Sequence, residues 1–181
     1  YDVAEALKPV RDRVEYNIEG NPRPDLIEMV ENVRPDQCTL VPVRPGELTS
    51  EAGWPADTPR AALAELIRRF RDLGVRVSVF VDPEPAPIDG AAELGADRIE
   101  LYTGPFADAA LAHGIDAEAT RASYQLYLDA ARHAGQLGLG VNAGHDLDLD
   151  NLILFRRITE VAEVSIGHAL ISDALKMGLE A

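Results

Sequence analysis

Two Gly-His steps stand late in the chain, Gly144-His145 and Gly167-His168, and a carboxylate stands early, in Glu19-Gly20-Asn21. A carboxylate and an imidazole facing one dry pocket can carry the proton transfers of general acid–base catalysis. Glycine beside each histidine lets backbone N–H groups approach an anion, and Gly167-His168-Ala169-Leu170 runs into a helix, which suits a phosphate site. His113 and His133 fall in helical stretches and read as surface residues. There is no Walker sequence, no cysteine cluster and no His-x-x-x-His pair, and Gly138-Leu139-Gly140 followed by Gly144 misses the dinucleotide spacing. No metal site is therefore expected.

These residues meet only if the elements carrying them end side by side. Val14, Tyr16 and Ile18 alternate with Glu15, Asn17 and Glu19, the period of a strand. Further strands are expected at 37–41, 75–81, 98–102, 140–143 and 163–166. Helices are expected at 25–33, from Pro59 to Gly74 behind a Thr58 N-cap, at 87–94, in a stretch broken near Gly114 and ending at Gly138, at 149–158 and from Ser172 to Met177. Each strand is followed by a helix and no hairpin signal intervenes, so the fold class is α/β with a parallel sheet, either doubly wound or a (β/α)₈ barrel.

A complete barrel needs about 250 residues. Six βα units in 181 residues fit a TIM barrel lacking its first two strands and the end of its last helix. On this reading residues 1–181 are one barrel domain, incomplete at both ends.

In such folds ligands sit at the carboxyl ends of the strands. Those ends carry Glu19, Arg44 and Thr49, Asp82, Tyr102, His145 and His168. Alternation also turns Glu15, Asn17 and Glu19, and Arg98, Glu100 and Tyr102, into the lumen. Buried charges must pair, and Arg98 with Glu15 or Glu100 is the simplest pairing. Trp54, in the long loop after the second strand, reads either as a lid residue or as an interface anchor.

Composition narrows the functions. With 17 Lys plus Arg against 31 Asp plus Glu, the net charge of −14 makes a poor general binder of nucleic acid or anionic membrane. An anionic ligand must be captured locally. The single cysteine, Cys38, allows no intrachain disulfide, fits a cytoplasmic protein and reads as a small core residue.

Six segments, in order, resemble one family: Asn17-Ile18-Glu19, Cys38-Thr39-Leu40-Val41-Pro42, Glu47-Leu48-Thr49-Ser50-Glu51-Ala52-Gly53, Glu100-Leu101-Tyr102-Thr103-Gly104, Val141-Asn142-Ala143-Gly144-His145 and Ser165-Ile166-Gly167-His168-Ala169. Together they resemble pyridoxine 5′-phosphate synthase, the (β/α)₈-barrel enzyme of vitamin B6 synthesis. The resemblance implies condensation of 1-deoxy-D-xylulose 5-phosphate with 3-amino-2-oxopropyl phosphate to give pyridoxine 5′-phosphate, phosphate and water. It implies no cofactor, and a homo-octamer built from dimers. It makes Glu19 a general base, His145 a proton donor and acceptor, and Glu100 a transition-state stabiliser. Thr49, Asp146, Gly167 and His168 would contact the substrates.

Two departures accompany the resemblance. The family's first strands, with an Asn-x-Asp-His segment and Arg-rich segments, have no counterpart here, so these 181 residues alone are expected to be inactive. Position 146 is Asp where many relatives have Gly, and its carboxylate is expected to point away and cap the next helix. Two alternatives are a non-catalytic truncated barrel serving binding or assembly, and another sugar-phosphate barrel enzyme. A Schiff-base aldolase is disfavoured because Lys8 and Lys176, the two lysines, stand at no strand end.

Overall fold

The computed structural model describes residues 2–43, 50–55 and 58–178. After α1 (Asp2–Leu7) and a short 3₁₀ turn, strands and helices alternate. They run β1 (Asn17–Gly20), α2 (Pro24–Val33), β2 (Gln37–Leu40), α3 (Arg60–Asp72), β3 (Arg76–Val81), α4 (Pro85–Glu93) and β4 (Arg98–Tyr102). Then follow α5 (Gly104–His113), α6 (Glu118–Gln136), β5 (Gly140–Gly144), α7 (Leu152–Phe155), β6 (Val161–Ser165) and α8 (His168–Met177). Among the described residues all six strands are parallel and lie in the order β1-β2-β3-β4-β5-β6. A doubly wound sheet would reverse its strand order at a switch point; this one does not, and it curls as part of a (β/α)₈ barrel.

Some boundaries differ from the sequence expectation. The first strand begins at Asn17, and Val14 is exposed, because pairing with β2 starts only where the Tyr16 amide and carbonyl engage Asp36 and Gln37. Pro59, expected inside α3, precedes it as the N-cap residue, and the Thr58 side chain does not cap the helix. The expected helix at 149–158 is the single turn α7, since Asp148 and Asn151 tie 148–151 into a local turn first. The last helix begins four residues earlier than expected, at His168.

The core lies between sheet and helices. Leu63, Leu66, Ile67 and Phe70 on α3 and Tyr127, Ala130, Ala131 and Ala134 on α6 pack onto Val77, Val79, Ile99, Leu101 and Val141. Cys38 is fully buried among them, and burial pushes its thiol up to about 12. Phe106, Tyr127 and Phe155 form an aromatic triangle with ring centroids 5.2–6.0 Å apart. The Tyr127 hydroxyl donates to the Tyr102 carbonyl at 2.7 Å, which pins the C-terminal end of β4.

The lumen is layered by the two-residue period of the strands. At the N-terminal ends, Arg98 pairs with Glu163 at 2.8 Å and donates to Asn142 Oδ1 at 2.9 Å. Arg76 reaches Glu163, Gln37 and Glu15. Arg98 thus pairs with Glu163, and neither Glu15 nor Glu100 is its partner as expected: Glu100 sits one layer higher, and Glu15 is taken by Arg76. The middle layer is polar, with Thr39 donating to Asn17 Oδ1 at 3.2 Å. Among the described residues no helix is long and apolar enough to cross a membrane.

Trp54 is tied to the sheet. Its indole N–H donates to the Leu40 carbonyl at 2.8 Å, and its backbone N–H donates to the Phe80 carbonyl at 3.0 Å. It pins the loop after β2 to the ends of β2 and β3.

Candidate active site

At the C-terminal ends of the strands a cavity of about 440 Å³ is lined by Asn17, Glu19, Ser50, Phe80, Glu100 and His145, with Asp146, Ser165, Gly167 and His168 also in its wall. Six of the seven expected site residues therefore meet around one space. The seventh, Thr49, lies outside the described residues, as does Arg44.

Glu100 is the most deeply placed. It is 1% exposed, in the middle of β4, and its Oε2 has no hydrogen-bond partner among the described residues. Burial first, then the nearby Glu19 charge, push its pKa up to about 8, although the Ser165 and Thr39 hydroxyls pull the other way. A carboxyl so placed is protonated at neutral pH and can donate a hydrogen bond.

Glu19 stands one residue before the end of β1, at the mouth. The residue keeps accessible surface because the cavity is open, yet protein crowds its carboxyl. Burial raises its pKa, and the neighbouring His145 draws it partly back. A raised carboxylate is a better base at neutral pH than an ordinary one.

His145 follows β5 directly, on a backbone with φ 97, and Asp146 follows at φ 56. Two consecutive non-glycine residues at positive φ make a sharp, costly corner that turns the chain out of the strand. Thr103 holds that corner: its hydroxyl donates to the His145 carbonyl and its N–H to the Gly144 carbonyl. The Tyr102 ring meets the imidazole edge-on at 5.1 Å.

Asp146 departs from expectation. Its Oδ2 is 2.8 Å from Nδ1 of His145, so the carboxylate turns back to its neighbour. The N–H groups of Asp150 and Asn151 are taken by Asp148 instead, which leaves Asp146 no capping task.

Gly167 precedes α8 and His168 opens it, so both sit at the positive end of a ten-residue helix on the cavity rim. No lysine or arginine lines the cavity among the described residues. Nor do three His, Cys, Asp or Glu side chains among them gather as a metal site would require.

Ser165, Thr103 and the contact of Tyr102 with His145 escaped the sequence reading. Ser165 was reachable, because it lies two positions beyond Glu163 on one strand and therefore faces the same way. Thr103 was not, since its role depends on the corner at 145–146, which no local pattern announces.

Fold and site together define a (β/α)-barrel enzyme with acid–base side chains at the carboxyl ends of its strands. The family model described as "Pyridoxal phosphate biosynthesis protein PdxJ" matches residues 1–181, and the chain belongs to this family of vitamin B6 biosynthesis enzymes. It is 52% identical over 167 residues to the pyridoxine 5′-phosphate synthase of Cytophaga hutchinsonii, covering 92% of this chain and 68% of that one. The enzyme of the same name from Porphyromonas gingivalis is 48% identical over 181 residues, covering 99% and 71%. A solved structure titled "Native KDPGal structure" superposes with a TM-score of 0.58 at 14% identity, over 93% of this chain and 64% of the other, a likeness of fold alone.

Proposed function

We propose that the protein is a pyridoxine 5′-phosphate synthase, joining 1-deoxy-D-xylulose 5-phosphate to 3-amino-2-oxopropyl phosphate with release of phosphate and water. The observation that carries this reading is the convergence of Glu19, Glu100 and His145 on one cavity with the start of α8 at its rim. The names of the relatives support the same reading.

The condensation needs an imine, losses of water and phosphate, and a ring closure, all of which move protons. Glu19 takes protons from substrate carbon or nitrogen, and His145 gives and receives them. Glu100, neutral at working pH, donates a hydrogen bond to negative charge as it develops on substrate oxygen. The N–H groups at Gly167 and His168 receive a substrate phosphate. Asp146 would contact substrate through its backbone, and Thr49 through its hydroxyl. The reaction uses no metal or organic cofactor in this reading. The protein works in the cytoplasm as a homo-octamer built from dimers, and its single buried thiol suits that compartment.

The test is direct. The protein produced from its complete gene is mixed with both phosphorylated substrates, and pyridoxine 5′-phosphate is sought by mass. Product formation supports the assignment; its absence, from protein of correct mass and native assembly, overturns it. Light scattering on the same sample tests the octamer.

A further inference from the structure

The corner at 145–146 places an acidic residue where the backbone asks for glycine. Asp146 sits at φ 56, in the left-handed region that glycine enters freely and aspartate tolerates. It is held there on both sides. Asn151 Nδ2 donates to its carbonyl at 3.0 Å, and its Oδ2 stands 2.8 Å from Nδ1 of His145. The Tyr102 ring packs against the imidazole at 78° to it, and the Thr103 hydroxyl donates to the backbone carbonyl of His145. Direction matters at this contact, because an ionised carboxylate can only accept. The proton between the two residues must therefore belong to Nδ1.

We propose that Asp146 is a positioning residue for His145. It accepts the Nδ1–H hydrogen bond, fixes the Nδ1–H tautomer and the ring orientation, and so commits Nε2 to proton exchange with substrate. When Nε2 accepts a proton from substrate, the ring becomes imidazolium with its Nδ1–H still on Asp146. When Nε2 returns that proton to a substrate oxygen, the neutral Nδ1–H tautomer is restored, with Nδ1–H on Asp146 throughout. The adjacent negative charge stabilises the imidazolium in the manner of a serine-protease triad, though the Asp146 side chain is 46% exposed and solvent screens part of the effect. This inference rests on the reading of His145 as the proton carrier.

The experiment separates the two readings. Nitrogen-15 NMR of the imidazoles in the full-length protein, with His145→Gln to assign the signal, reports the tautomer without substrate. The wild-type protein should show a protonated Nδ1 and an unprotonated Nε2 at His145. Asp146→Gly should move it toward the Nε2–H form favoured by free imidazole, and Asp146→Asn, whose amide N–H can donate to Nδ1, should favour the Nε2–H form as well. In steady-state kinetics Asp146→Gly should lower kcat by about 10- to 100-fold, taking as the scale the loss seen when the carboxylate that orients a metal-bound histidine is removed. Its KM should stay within about twofold, since uniform substrate binding is untouched. Glycine suits the backbone at 146, so its melting temperature should not fall. Asp146→Asn should lower kcat as well, because it presents the wrong tautomer. An Nε2–H tautomer in the wild-type protein, or a wild-type kcat in Asp146→Gly, would overturn the proposal. Loss of synthase activity in every form, with the tautomer shifts as expected, would overturn the proposed function and leave the Asp146–His145 relationship standing.

Discussion

Gly144 lies directly against the carboxyl of Glu100. A Cβ built on that glycine would collide with Oε1 of Glu100 and crowd the Ser165 side chain at 2.9 Å. The last residue of β5 is thus small because the buried acid occupies the space its side chain would need. Gly144→Ala should displace Glu100 or push β5 and β6 apart, destabilising the fold by about 1–3 kcal/mol. Thermal melting measures that loss. A kcat reduced further than in a core variant of equal stability, such as one at Val141, would locate the damage at Glu100. An unchanged melting temperature and kcat would contradict the packing described.

Glu19→Gln keeps the shape of the side chain and removes its basicity. Turnover should fall by about 10²–10⁴-fold, the range for losing a positioned general base. Binding of inorganic phosphate or of either substrate, followed by calorimetry, should persist within a few-fold, because the proposed phosphate site lies at the start of α8. Normal turnover would remove Glu19 from the mechanism.

Glu100 gives stability a pH dependence of defined sign. Its pKa rises from the ordinary 4.5 to about 8 on folding. Between those values the folded chain holds a proton that the unfolded chain has released. Stability from this group is therefore full below pH 4.5 and is lost as pH rises through about 8. Glu100→Gln has no such titration. Its melting temperature, relative to the wild-type protein, should climb steadily across that interval. Parallel curves for the two proteins would mean that Glu100 ionises as freely as it does in water.

Glu163 joins Arg76 and Arg98 at the floor of the lumen. Glu163→Gln leaves two guanidinium groups facing each other with less compensation. Its side chain is 37% exposed, so solvent screening keeps the loss near 1 kcal/mol. Denaturant melts should show that loss, and it should shrink at high salt if it is electrostatic.

The barrel was legible because its signals are local. Apolar alternation marked β3 and β4, a five-residue apolar stripe marked α3, and strict βα alternation implied parallel pairing. Of the six strands, β1 and β6 were shifted most, β6 beginning two residues before the expected 163; for β1, alternation alone cannot tell a paired residue from an extended one, and Val14 lies outside the β1–β2 pairing. The lumen-facing direction of Glu100 and Tyr102 also followed from the two-residue period. What failed was partner choice. Arg98 could not be paired from sequence, because Glu163 lies on a strand 65 positions away and its register is set by a bulge between Val141 and Asn142. The direction of Asp146 failed for a related reason. It depends on two consecutive positive φ values, which Asp146 accepts but does not announce.

The floor of the lumen has a consequence for how the chain folds. Gln37 and Glu163, whose side chains meet at 3.4 Å, are 126 residues apart in sequence. Contacts of such separation carry the greatest loop-closure entropy and are formed late. The chord from β2 to β6 behaves like the string of a bow: neighbouring strands can pair without it, but it holds the curl that aims Glu19 and His145 at the same space. Weakening it at Glu163 should therefore hasten unfolding more than it slows refolding, so that the chemistry at one end of the strands has its lifetime set at the other.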